Sequence, residues 1–326
     1  MKIPCKILTN AVLIFTLSGC ASAPYQSGLA PAIKKEANNA IGRFKTDDGL
    51  KLFAQWWTPS AGPSKAAVIM VHGLKDHSRR YTETAHKLTQ NNYSVYAFDL
   101  RGHGDSEGQR VWVDSFDQYV NDLQTFYDLV QKKEPNKPIF IFGHSMGGAI
   151  VTLFSLRKSR PIAGLVLSGP ALQLDVSSIT TGSTKYVVSP LLPTLAVLKL
   201  DEEDFSRDPK VVAEINADPL IYHGAGPAKT ASELFKAVDT IRENMAKVET
   251  PFITLHGQQD KLTMYEGSAD LFQISRAKGK AIKLYQKAYH DLLHEPEKEK
   301  VFSDMLAWLE GRMSSAAAQS STTPKQ

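Results

Sequence analysis

The chain has 326 residues, 42% of them hydrophobic and 22% charged, which is enough apolar material to bury a large core and excludes a mostly disordered chain. Its formal charge of +4 arises from 38 Lys and Arg against 34 Asp and Glu, scattered without a basic stripe or interleaved aromatics, so nucleic acid is excluded as a partner. Its 2 cysteines, Cys5 and Cys20, both lie near the start, which excludes a disulfide-stapled fold and, once a leader is removed, cysteine catalysis.

Residues 1–19 read as a signal peptide: Lys2 and Lys6 precede the apolar run from Ile7 to Leu17, which is too short to span a membrane. Leu17-Ser18-Gly19-Cys20 resembles the lipobox of bacterial lipoproteins, and the resemblance implies cleavage before Cys20 and lipid attached to it. Alanine at position 21, where many such proteins held in the inner membrane carry aspartate, implies by the same resemblance an outer-membrane anchor facing the periplasm. Residues 20–40 are small, polar and Pro-containing, as a tether would be.

A core is expected over 41–170 and 227–312. It opens with a hairpin in which Arg43–Thr46 and Lys51–Trp57 flank the turn Asp47-Asp48-Gly49. Ala66–Val71 and Val95–Asp99 are continuous apolar strands separated by a helix from about Arg79 to Asn91. A Gly-rich loop then leads to a helix with Phe116, Tyr119, Val120, Leu123, Phe126 and Val130 on one face and Asp114 as its cap. The run Ile139–Phe142 meets Gly143-His144-Ser145-Met146-Gly147, a strand-to-helix corner, and Ile162–Ser168 is the next strand. Short buried strands alternating with amphipathic helices imply a mostly parallel sheet flanked by helices.

Over 171–226 the alternation lapses, and a segment of that length needs helices of its own; it is expected to be a helical cap, or lid, inserted after the sixth strand. The pattern then resumes with a helix near Ser232–Lys247, a strand at Pro251–Gly257, another helix, a strand at Ile282–Tyr285, and a last helix opened by Pro296. Residues 313–326 lack apolar periodicity and are expected to be a disordered tail.

The Gly-x-Ser-x-Gly corner presents Ser145 as a nucleophile, and a serine hydroxyl needs a base that is itself oriented by an acid. In chain order the acid and base should follow on loops after later strands, which selects Asp260 and His290. His294 is the rival base, whereas His72, His103 and His144 sit in glycine turns suited to structural hydrogen bonds. Asp99 has the wrong order and should tie down its own loop; Asp291, adjoining the base in sequence, should point elsewhere. The backbone N–H groups of Leu74 and Met146 are the expected oxyanion donors. No metal-site spacing and no phosphate loop is present, so neither a metal nor a cofactor is expected.

With these residues the chain resembles the monoacylglycerol lipases, in the serine aminopeptidase and lysophospholipase group of α/β-hydrolases. The resemblance spans about Arg43 to Leu309. It rests on His72-Gly73 with His77-Ser78-x-Arg80-Tyr81, on Asp99-x-Arg101-Gly102-His103-Gly104-x-Ser106-x-Gly108, and on Gly143-His144-Ser145-Met146-Gly147-Gly148. It also includes Ser168-Gly169-Pro170-Ala171, Asp218-Pro219-Leu220 and the Asp260 and His290 loops. The chain departs from that family in its leader and its tail. The resemblance implies hydrolysis of a glycerol carrying one acyl chain through an acyl-Ser145 intermediate, with an acylglycerol or lysolipid as the partner. The apolar island Tyr186–Leu198, broken by Pro190 and Pro193, is then expected to line the acyl route through Leu191, Leu195 and Leu198, and to approach the membrane beside lipidated Cys20. Lysophospholipase or general carboxylesterase activity is the nearest alternative. An aminopeptidase, for which the run Asp201-Glu202-Glu203-Asp204 could hold an amine, and a non-catalytic binding lipoprotein are the others.

Overall fold

A computed structural model describes residues 39–174 and 189–321. The expected signal peptide, Cys20, all but the end of the tether, the stretch 175–188 of the cap and residues 322–326 lie outside the described residues.

Ten strands form. β1 (Asn39–Lys45) and β2 (Lys51–Trp57) make the expected hairpin, pairing from Asn39 with Trp57 to Lys45 with Lys51. β3 (Ala66–Val71), β4 (Tyr93–Phe98), β5 (Ile139–His144), β6 (Gly164–Ser168), β9 (Phe252–Gly257) and β10 (Ala281–Tyr285) complete a sheet of order β1-β2-β4-β3-β5-β6-β9-β10. From β4 to β10 every neighbouring pair is parallel; only β1 and β2 run against their neighbours. The crossovers are α1 (Thr82–Gln90), α2 (Phe116–Lys133), α3 (Met146–Leu156) and α7 (Tyr265–Ile274).

Why β3 reads as an unbroken apolar run is visible in its packing. Successive side chains point to opposite faces of the sheet, and both faces are covered. Ala67, Ile69 and Val71 join one core layer with α2 and α3, whereas Ala66, Val68 and Met70 join another with α1 and α8 (Lys298–Ser321). Each Ile, Val or Phe so removed from water contributes about 1.5–3 kcal/mol. α2 is capped by Ser115 rather than Asp114: Ser115 Oγ accepts from the Asp117 N–H and Gln118 reaches back, completing a capping box. Asp114 instead accepts from the Trp112 indole.

Between β6 and β9 the chain makes the expected excursion, but it is not wholly helical. α4 (Ser189–Leu191) is a single turn, because Pro193 cannot continue a helix; α5 (Pro209–Ala217) is longer and is capped by Asp208. Between and after them β7 (Ala196–Leu198) and β8 (Gly226–Pro227) pair antiparallel, and α6 (Ala228–Asn244) returns the chain to the core. The last helix starts at Lys298, two residues after Pro296, and runs to Ser321, well into the stretch expected to be disordered. Ala, Ser and Gln there are adequate helix formers, so the helix continues without an apolar face to guide it.

Candidate active site

The C-terminal ends of β3, β5, β9 and β10 converge, and each delivers one part of the site. Ser145, between β5 and α3, adopts φ 54° and ψ −122°, a left-handed conformation that costs a non-glycine residue strain and is held only by its surroundings. Two glycines make room for the corner. A Cβ on Gly147 would collide with the Val71 and His72 carbonyls, and one on Gly73 would come within 3.0 Å of Ser145 Cβ. The Ser145 N–H donates to the Ser168 carbonyl at 3.0 Å, and its own carbonyl accepts from the Ala171 N–H at 2.9 Å, locking the turn between β5 and β6.

His290, after β10, is buried, and its Nδ1–H donates to Asp260 Oδ2 at 2.7 Å. The His144 ring centroid is 4.7 Å from that of His290, and Gly169, next to Ser168, abuts His290 and Asp260. Asp260 is held from every side. Its Oδ1 accepts from the Leu262 and Thr263 N–H groups at 2.8 and 2.9 Å, while Oδ2 also accepts from the Thr263 hydroxyl at 2.8 Å and faces His256 Nε2 at 3.2 Å. Burial by itself would raise the Asp260 pKa, but the His290 charge and the hydrogen bonds of His256 and His290 hold it well below the usual carboxylate range. Burial works against a charged His290 ring as well, yet the Asp260 charge prevails and its pKa lies above the ordinary 6.5.

The rival groups have other occupations. His294 bonds Asp291 Oδ1 at 2.8 Å and the Arg80 carbonyl at 3.0 Å, so both its ring nitrogens are engaged away from Ser145. Asp291 points into a buried cluster with Arg80, whose other nitrogen reaches Asp76. His72 accepts from the Leu100 N–H and bonds the Gly73 carbonyl, and burial pushes its pKa down to about 4. Burial, reinforced by the His290 charge, also pushes His144 down to about 4, while its Nδ1 bonds the Ser168 carbonyl. His103 bonds the Arg101 carbonyl, and Asp99 accepts from the Ser78 and Asp105 N–H groups, pinning the Gly-rich loop.

Leu74 follows β3 and Met146 begins α3; among the described residues neither N–H has a hydrogen-bond acceptor, so both are available to a ligand at the helix amino terminus. Beside Leu74 is a cavity of about 20 Å³, room for one water, walled by Leu200, Phe205, Ile215, Ile221 and Tyr222 from the excursion. Lys75 and Glu202 also line it, and burial lowers the Lys75 pKa to about 8. The sequence reading missed Thr263 and His256, which brace Asp260, and these cavity residues. An Asp followed three positions later by Thr at a strand end was the available signal for the first.

Of the three leucines expected along the acyl route, the structure gives three different places. Leu191 and Leu195 are 74% and 46% exposed, whereas Leu198 is buried in the main core against Gly226 and Val111. Leu198 is therefore a packing residue, because β7 turns it under the excursion. None of the three lines the cavity at Leu74; Phe205 does, and its ring meets the His290 ring edge-on at 5.7 Å.

An eight-stranded, mostly parallel sheet with a strained serine at the β5–α3 corner defines the α/β-hydrolase fold. The family model described as serine aminopeptidase, S33, matches residues 62–297, and the chain belongs to that family. Within it, the chain is a monoacylglycerol lipase-like α/β-hydrolase. It is 34% identical over 263 residues to the monoacylglycerol lipase of Mycolicibacterium smegmatis, covering 80% of this chain and 93% of that one. To the monoglyceride lipase of Homo sapiens it is 35% identical over 277 residues, covering 84% and 91%. The crystal structure of Paleococcus ferrophilus monoacylglycerol lipase superposes with a TM-score of 0.72 at 27% identity, covering 80% of this chain and 99% of that chain.

Proposed function

We propose that the protein is a serine hydrolase that cleaves the carboxylic ester of monoacylglycerols to glycerol and a fatty acid. The observation that carries this reading is the strained Ser145, next in the chain to a His144 whose ring packs on a buried His290, with the His290 Nδ1–H committed to an ionised Asp260. With Nδ1 donating, Nε2 keeps its lone pair and can take the Ser145 proton as Oγ attacks the ester carbonyl. The oxyanion that forms would be met by the Leu74 and Met146 N–H groups. Collapse expels the glycerol oxygen, which receives the proton from Nε2 and leaves acyl-Ser145. Water, deprotonated by the same nitrogen, then attacks the acyl carbon and releases the acid while Ser145 regains its proton.

The substrate class is supported by the names of the relatives and by the apolar walls of the cavity beside Leu74. Residues of the excursion wall the cavity beside Leu74, and we assign 171–226 the role of a lid. The exposed Leu191, Leu192 and Leu195 form the face such a lid would offer to lipid. Against the aminopeptidase reading, two of the four acids in the 201–204 run already have cations: Asp201 pairs with Lys199 and Asp204 with Lys261.

The deciding experiment is a hydrolysis panel of monoacylglycerols, lysophospholipids, short esters and aminoacyl amides with the purified protein. Preference for monoacylglycerols is expected; a preference for aminoacyl amides would overturn the reading. We further propose that Cys20 is lipidated and anchors the protein in the outer membrane facing the periplasm, on the strength of Leu17-Ser18-Gly19-Cys20. Cys20→Ser should move the protein to the soluble fraction with its specific activity intact, and continued membrane association would refute the anchor.

A further inference from the structure

His77 and Asp218 take no part in the constellation around Ser145, yet they meet: the buried His77 ring donates through Nε2–H to Asp218 Oδ2 at 2.9 Å. They come from distant parts of the chain, His77 from the turn after β3 and Asp218 from the end of α5 in the excursion. Among the described residues His77 Nδ1 has no hydrogen-bond partner, so the set of the ring rests on this one bond.

The Asp218 carboxylate has a second task. Its Oδ1 accepts from the Leu220 N–H at 2.8 Å, and the Asp218 carbonyl accepts from the Ile221 N–H at 3.3 Å, which folds 218–222 into a tight turn. The Tyr222 N–H at the end of that turn reaches the Lys75 carbonyl at 3.1 Å. Both oxygens of one side chain therefore act on residues 75–77, one through the His77 ring and the other through the Tyr222 N–H.

The residues they act on need support. Lys75 has φ 65°, a left-handed conformation that a lysine keeps only where its surroundings enforce it. Beyond His77, the Ser78 N–H is pinned by Asp99 Oδ1 at 2.7 Å. On the other side of Lys75 lies Leu74, whose N–H has no acceptor among the described residues and faces the developing oxyanion in the reaction assigned to Ser145. Relaxation at Lys75 would re-aim the peptide on its amino side, and an oxyanion donor acts most strongly when it is fixed before the charge develops.

We propose that Asp218 is a positioning residue for the reaction at Ser145: without touching substrate, it holds the turn that presents the Leu74 N–H. This rests on the serine-hydrolase reading above and gives the excursion a further task, since its 218–222 end supports the oxyanion site as well as covering it.

Steady-state kinetics of the full-length protein on a short soluble ester, normalised to sites titrated to completion by a fluorophosphonate, test the assignment. Asp218→Ala is expected to lower kcat about thirtyfold, less than the roughly hundredfold or more that a lost oxyanion donor costs, with KM moved less than about twofold. Affinity for a hexyl trifluoromethyl ketone, whose adduct with Ser145 carries an oxyanion, should fall by the same factor as kcat/KM. Asp218→Asn keeps an oxygen for the Leu220 N–H and can donate to His77 in its other tautomer, so kcat should return to within about threefold of the parent. His77→Phe keeps the bulk of the ring and loses the bond; combined with Asp218→Ala it should cost no more than Asp218→Ala alone. A merely structural Asp218 would lower Tm while kcat per titrated site and ketone affinity stayed within about twofold of the parent, and that result overturns the proposal. So does a loss confined to KM, or an Asn variant no better than the Ala one. If the parent itself failed to react with the fluorophosphonate, the serine-hydrolase reading would fall first and this assignment with it.

Discussion

Around Ser145 the polar side chains are buried and paired, whereas in the stretch 190–195 three leucines face outward. Asp260 accepts four close bonds in a fully buried site; Leu191 and Leu192 are 74% and 57% exposed. Each arrangement is costly for a protein in water, the first through desolvated charge and the second through unburied hydrocarbon. The difference teaches how the proposed labour is divided: a buried polar corner performs the chemistry, and a greasy, exposed surface handles the lipid.

If that division holds, damage to the corner should be indifferent to the substrate. Ser145→Ala or His290→Ala is expected to lower kcat by roughly six orders of magnitude and Asp260→Asn by about four, on long and short esters alike. Steady-state kinetics on both substrates, with circular dichroism to verify folding, tests this; if His294→Ala were as harmful as His290→Ala, the base would be misassigned. Damage to the leucine face should instead discriminate. Leu195→Asp is expected to reduce kcat/KM for a long-chain monoacylglycerol at least tenfold more than for a soluble short ester, because its side chain lies in the exposed leucine face. Equal losses on both would show that the two regions are not separate. Leu198→Asp should fail that contrast, since it places a charge in the core and lowers the yield of folded protein.

The smallest effect concerns pH. His290 must be neutral to accept the serine proton, and Asp260 holds its pKa above 6.5. The acid limb of kcat/KM should therefore lie above 6.5 and activity should fall as the pH drops through it. In Asp260→Asn the residual activity should show that limb moved to lower pH; an unmoved limb would mean that another group titrates.

The α/β alternation, the hairpin and the Ser145 corner were legible because they depend on neighbours in sequence: continuous apolar strands, a DDG turn, a Gly-x-Ser-x-Gly bend. Asp260 and His290 were legible because strand order restricts where an acid and a base can arrive. The residues around them were not. Thr263 and His256 support Asp260 through contacts made only once β9 and its loop have folded, and Phe205 reaches His290 from 85 positions away in the chain. The excursion was read as helical because its apolar content was visible and the pairing of β7 with β8, a long-range event over two residues, was not. Leu198 was placed with its exposed neighbours for the same reason.

One backbone bond limits what the excursion could become. The Asp291 N–H, immediately after His290, donates to the Phe205 carbonyl at 2.8 Å, and two residues on Arg207 grips the buried Glu295. The backbone that carries the base is thus stitched to the backbone that roofs it. A designer who wished to give this scaffold a new substrate by transplanting a foreign roof could exchange 190–195 by restoring the bonds that the Pro193 and Leu195 carbonyls accept from the Lys229 and Ala228 N–H groups. Replacing 205–207 would rebuild the catalytic loop at the same time. The scaffold offers one replaceable panel and one seam, and the seam runs within one residue of the base.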